Sequence, residues 1–142
     1  MKGFDTKHLI WVGVSLGATL FGGVDKSIQV LVLLMCVDIL SGVFKALKIG
    51  GFTSKAFREG LMQKAGFFLV IILAYQIDVM IGQPSAPVRT ATCLFYIAVE
   101  GSSIIENLGQ LGVKIPSIIA KRLACLQEQE GNTKEENEEE KL

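Results

Sequence analysis

Polar and apolar positions in this chain separate into long blocks instead of alternating at short range. Residues 9–24, 27–47, 65–82 and 88–105 are almost continuously apolar. Nearly all the charge lies between or beyond them: in the first eight residues, from Lys45 to Lys64, and after Glu106. An α-helix rises about 1.5 Å per residue and the hydrocarbon core is about 30 Å thick, so roughly 17–25 apolar residues cross it. The blocks therefore predict an all-α, small polytopic membrane protein with four transmembrane helices, or three if the short first block does not cross. A transmembrane domain is expected over residues 1–112.

The joints between blocks predict further elements. In "KIGGFTSKAFREGLMQK" a Gly-Gly break precedes Thr53 or Ser54, either a plausible N-cap, and Phe57 and Leu61 lie one turn apart among cations. That pattern predicts a short basic helix on the membrane surface. "GQPSAP" predicts a tight turn. After Gly109 and Gly112, Pro116 suits a first helical turn, and Ile115, Ile119, Leu123 and Leu126 share a face. Residues 113–127 thus read as an amphipathic cytoplasmic helix, on the inner leaflet or against a partner. Residues 128–142, acidic and nearly free of apolar side chains, read as a disordered tail. In the first block Gly13, Gly17 and Gly22 fall on small-residue spacings that let helices approach closely in lipid.

The apolar blocks are not uniformly apolar. Glu100 has no basic residue within ten positions on either side, and a lone buried carboxylate costs several kcal/mol unless it is paired or protonated. At alternating three- and four-residue spacings, Arg89, Thr92, Tyr96, Glu100, Ser103, Asn107 and Gln110 form one polar stripe. The second block carries a shorter one: Asp38, Ser41, Lys45 and Lys48. Asp38 and Glu100 fall at similar depth, near or slightly inside the midplane. Such stripes face other helices, another subunit or water. Ionisable residues inside a membrane are functional candidates. These either pair helices or line an aqueous path. Asp78, near the end of the third block, is expected to pair with Arg89 across the turn.

Composition adds exclusions. Net charge is zero and half the residues are hydrophobic. The single histidine, His8, and three scattered cysteines supply neither a metal-ligand spacing nor a disulfide framework. No nucleophile–base set, phosphate loop or nucleic-acid signature is present, so no enzymatic activity, cofactor or nucleic-acid partner is expected. The N-terminal stretch has basic residues before an apolar run but no small-x-small cleavage pattern. With four spans, twelve of the fourteen Lys and Arg fall on one side and only Lys26 and Arg89 on the other. The positive-inside rule then puts both termini in the cytoplasm.

The region from Asp38 to Leu126 resembles the phage holins of the toxin-secretion/phage-lysis type, a family that includes clostridial toxin-release proteins. The resemblance rests on "VDILSG", "KAGFFLVIILAYQID", "RTATCLFYIAVEGSSIIENLGQLGVKIP" and "KRL", in that order. It implies a multi-pass protein of the bacterial cytoplasmic membrane that self-associates in the lipid bilayer as a homo-oligomer. Lesions so formed let an endolysin or a secreted toxin through, with host cell lysis as the outcome. A small proton-coupled exporter using Glu100 is the alternative. An exporter, however, needs a local pocket, whereas this stripe runs the length of its block.

Overall fold

The computed structural model describes residues 6–126, with side chains from residue 11 onward except 14 and 18. The acidic segment 128–142 lies outside them, as do Lys2 and residue 127. Five helices follow one another: α1 (Thr6–Phe21), α2 (Lys26–Ile49), α3 (Ser54–Met80), α4 (Pro87–Gln110) and α5 (residues 117–126). No strand occurs among the described residues. Three helices, α2, α3 and α4, are long and apolar enough to cross a membrane. At 16 residues, α1 rises only about 24 Å.

Local chemistry sets the helix ends. Asp25 caps α2, its Oδ1 accepting from the Ile28 N–H at 3.1 Å. Gly50 ends α2 in the left-handed conformation, φ 70°, which glycine adopts without Cβ penalty. Thr53 caps α3 through an Oγ1 that accepts from the Ala56 N–H at 3.3 Å. Here the structure differs from the sequence expectation. The basic segment is not a separate surface helix ahead of a span starting at 65. From Ser54 to Lys64 it is the first eleven residues of one continuous 27-residue helix, because nothing between Thr53 and Ile81 breaks the hydrogen-bond ladder.

Helix α4 is the centre of the fold. It packs against both α2 and α3, while α1 packs on α3. Buried residues accordingly occur on more than one of its faces: Ile97, Ala98 and Ile104 as well as Glu100 and Asn107. The apolar core joins Ile28, Leu31 and Met35 of α2 to Ile71 of α3 and Cys93 and Ile97 of α4. Phe67 stacks on Tyr96 with ring centroids 4.1 Å apart. The outward faces remain apolar, with Leu33, Leu40, Phe44 and Leu47 on α2 and Leu69, Leu73 and Met80 on α3 exposed. That distribution suits a bundle whose solvent is lipid.

The glycines of α1 and of the turn after it differ in what surrounds them. A Cβ added at Gly13 or Gly17 would meet nothing within 4 Å among the described residues, so neither is a point of close approach within the protomer. Gly22 is one: its φ is +72°, and a Cβ there would lie 2.3 Å from the Tyr75 ring. The close approach is made at the α1–α2 turn, not along α1.

Candidate functional site

The inward face of α2 changes character along its length. Ile28, Leu31 and Met35 feed the apolar core; Asp38 and Ser41 follow on the same side. The matching stretch of α4 presents Glu100 and Asn107. Between them α3 supplies Lys64. Its Nζ lies 2.9 Å from Asp38 Oδ2 and 2.6 Å from Glu100 Oε1, and it also contacts Glu100 Oε2. Relative exposure of the side chains is 11% for Lys64, 14% for Asp38 and 2% for Glu100.

Hydrogen bonds extend the cluster back to α2. Asn107 Nδ2 donates to Asp38 Oδ1 and to Ser41 Oγ, both at 3.1 Å. Ser41 Oγ in turn donates to the Asp38 carbonyl at 3.0 Å. Five side chains on three helices thus satisfy one another. The arrangement contains two carboxylates and one ammonium. A buried ion pair is tolerable only with such additional hydrogen bonds, since desolvating each ion costs several kcal/mol.

A second polar site closes the opposite end. Arg89, 6% exposed, directs its guanidinium to Asp25 and to the carbonyls of Phe21 and Gly23. The expected side-chain pair between Asp78 and Arg89 is absent. Asp78 is fully buried and accepts instead from the backbone N–H groups of Val88 at 3.0 Å and Arg89 at 2.8 Å. The reason is local. Ala86 occupies the α4 N-cap without a side chain that can cap, so α3 supplies the carboxylate that the free N–H groups need.

The other candidates along the stripes fall in several places. Tyr96, half-buried, faces α3 through Phe67. Thr92 Oγ1 donates to the Val88 carbonyl of its own helix at 2.8 Å. Ser103 and Lys45 line a cleft of about 410 Å³ between α2 and the basic half of α3, whose inner end is Asp38 and Lys64. Lys48 donates to the Leu111 carbonyl at 2.8 Å, pinning the turn after α4. From that turn α5 runs back along α4, and Leu123 covers Gly101 so closely that a Cβ there would sit 2.7 Å from Leu123 Cδ2. Leu123 and Leu126 are half-buried, while Ile119 is exposed. The face expected on the leaflet is therefore partly used against the bundle.

Lys64 and Asp25 are the residues that sequence reasoning missed. Asp25 carried a signal, an Asp shortly before an apolar run. Lys64 carried none, because it closes a segment whose other cations are solvated.

Three apolar helices of spanning length, with an ion cluster held among them, define a small, membrane-embedded helical protein. The chain belongs to the bacteriophage holin family, whose model matches residues 15–128. It is 43% identical over 110 residues to a probable holin of Bacillus phage phi105, covering 78% of this chain and 80% of that protein. The Bacillus subtilis protein YqxH is 42% identical over 115 residues, 81% of each chain. A Clostridium perfringens protein of 14.9 kDa is 32% identical over 122 residues, 84% of this chain and 92% of that one. No solved structure matches. Family membership supports a holin role and suggests a non-enzymatic protein.

Proposed function

We propose that the chain acts as a holin: it accumulates in the bacterial cytoplasmic membrane, self-associates, and opens lesions through which an endolysin or a toxin passes. The observation that carries this reading is the fate of the polar stripes. Glu100 and Asn107 of α4 and Asp38 and Ser41 of α2 are turned inward and satisfied by Lys64 and by one another. A protomer in this state offers lipid an apolar exterior. On assembly the same groups exchange internal partners for water and line the lesion, with Lys45, Thr92, Tyr96, Ser103 and Arg89 along the same faces. The cluster is then a lock between a lipid-compatible protomer and a water-lined assembly. In this reading α1 crosses as a short fourth span and both termini are cytoplasmic, in keeping with the distribution of Lys and Arg.

The test is induced expression in a bacterium, with and without a cytoplasmic endolysin, following culture density and membrane potential. The expected outcome is abrupt depolarisation after a delay, with lysis only when the endolysin is present. Sustained growth and an unchanged potential, with the protein inserted at high level, would overturn the proposal.

A further inference from the structure

The cleft between α2 and α3 is not absorbed by the lock. It exists because α2 and α3 both pack on α4 and because its walls carry little bulk at Gly42 and Gly60. A Cβ at Gly60 would meet nothing within 4 Å. Its sides carry apolar side chains, among them Val43 of α2 and Phe57 and Leu61 of α3. Its deep end is closed by Asp38 and Lys64, whose polar atoms are engaged with each other and with α4. Lys45 also lines it, half-buried and without an ion-pair or hydrogen-bond partner among the described residues.

We propose that this cleft binds one anionic phospholipid, with its phosphate against Lys45 and one acyl chain between the apolar walls. The complementarity is chemical at both ends. An unpaired ammonium beside an apolar crevice matches an amphiphile with a negative head, and basic pockets between membrane helices take anionic head groups. Size agrees. The cleft of about 410 Å³ is of the size of a single acyl chain. The ligand completes the wall that α2 and α3 leave open, and this binding is independent of whether lesions form.

Native mass spectrometry of the full chain, with equal amounts of phosphatidylglycerol and phosphatidylcholine of the same acyl composition, tests the site. One phosphatidylglycerol per chain is expected to be retained, preferred over phosphatidylcholine by about five-fold, the effect of one lysine at a membrane surface. Lys45→Gln removes that preference. Gly60→Leu, which fills the crevice, abolishes retention of both lipids. Lys55→Gln, at an exposed lysine paired with Glu59 at 3.9 Å, changes neither. Equal retention of the two lipids, an equal loss in Lys55→Gln, or unchanged retention in Gly60→Leu would each overturn the site. Displacement of the lipid by millimolar inorganic phosphate would reduce it to an anion contact and also count against it.

Discussion

Lys64 precedes Glu100 by 36 positions in the chain, yet its ammonium contacts both oxygens of that carboxylate. The same nitrogen lies 2.9 Å from Asp38, so one cation ties α3 to α2 and to α4. Its removal leaves the buried Glu100 carboxylate beside the half-buried one of Asp38 with no cation between them. Lys64→Met is expected to destabilise the protomer by about 3–5 kcal/mol, the usual cost of breaking a buried ion pair from one side. Adding Asp38→Asn and Glu100→Gln to it should restore most of the loss. Denaturation in mild detergent measures both, and equal stability of the single and triple variants would show that the charges are not coupled.

The same lock bears on timing. Glu100→Gln keeps the Asp38–Lys64 pair but weakens the tie to α4, so under the proposed holin function lysis of expressing cells is expected earlier than in the parent. Onset time under matched expression decides, and a delay would mean that Glu100 promotes assembly instead of restraining it.

At the other end, Arg89 holds Phe21, Gly23 and Asp25 together through a planar fork. A lysine is a point charge on a flexible stem and cannot reproduce those directions. Arg89→Lys should therefore raise amide hydrogen exchange at the α1–α2 turn nearly as much as Arg89→Met does. Protection equal to the parent's would show that charge alone suffices.

Gly22 sets a limit on that turn. Gly22→Ala combines a left-handed φ of +72° with a clash against Tyr75, and the backbone part alone costs about 1–2 kcal/mol. Shortening the ring with Tyr75→Leu should recover the steric part only. Full recovery in the double variant would mean the backbone strain is negligible.

Leu123 on Gly101 predicts a pair effect. Gly101→Val should lift α5 and speed tryptic cleavage after Lys121 and Arg122, without unfolding the bundle. Leu123→Ala should have a similar effect alone and add little to Gly101→Val. Cleavage at the parent rate in Gly101→Val would show that α5 does not rest there.

Much of this arrangement was legible from spacing. The three long helices follow from their apolar blocks, and Glu100 and Asn107 fall on one face of α4, Asp38 and Ser41 on one face of α2, because helical periodicity is local. What spacing does not carry is which helix meets which face. Lys64 ends a basic run that reads as solvated, and only the packing of α3 on α4 turns it inward. Asp78 was expected to meet the Arg89 side chain, but the uncapped first turn of α4 offered backbone N–H groups in the same place, aligned and unpaired. The folding back of α5 depends on a glycine one residue past Glu100, whose missing side chain is visible in sequence but whose visitor is not.

Helix α3 is one rod of 27 residues, about 40 Å long, against a hydrocarbon core of about 30 Å. Some ten ångströms of it, bearing Lys55 and Arg58, extend past the hydrocarbon core as a handle. Lys64 lies just inward of that handle, and Tyr75 and Asp78 lie at the far end of the rod. Any force that tilts the handle, such as a neighbouring protomer or a shift in surface charge, acts with leverage on both ends at once. It loosens the grip on Asp38 and Glu100 while moving the carboxylate that caps α4.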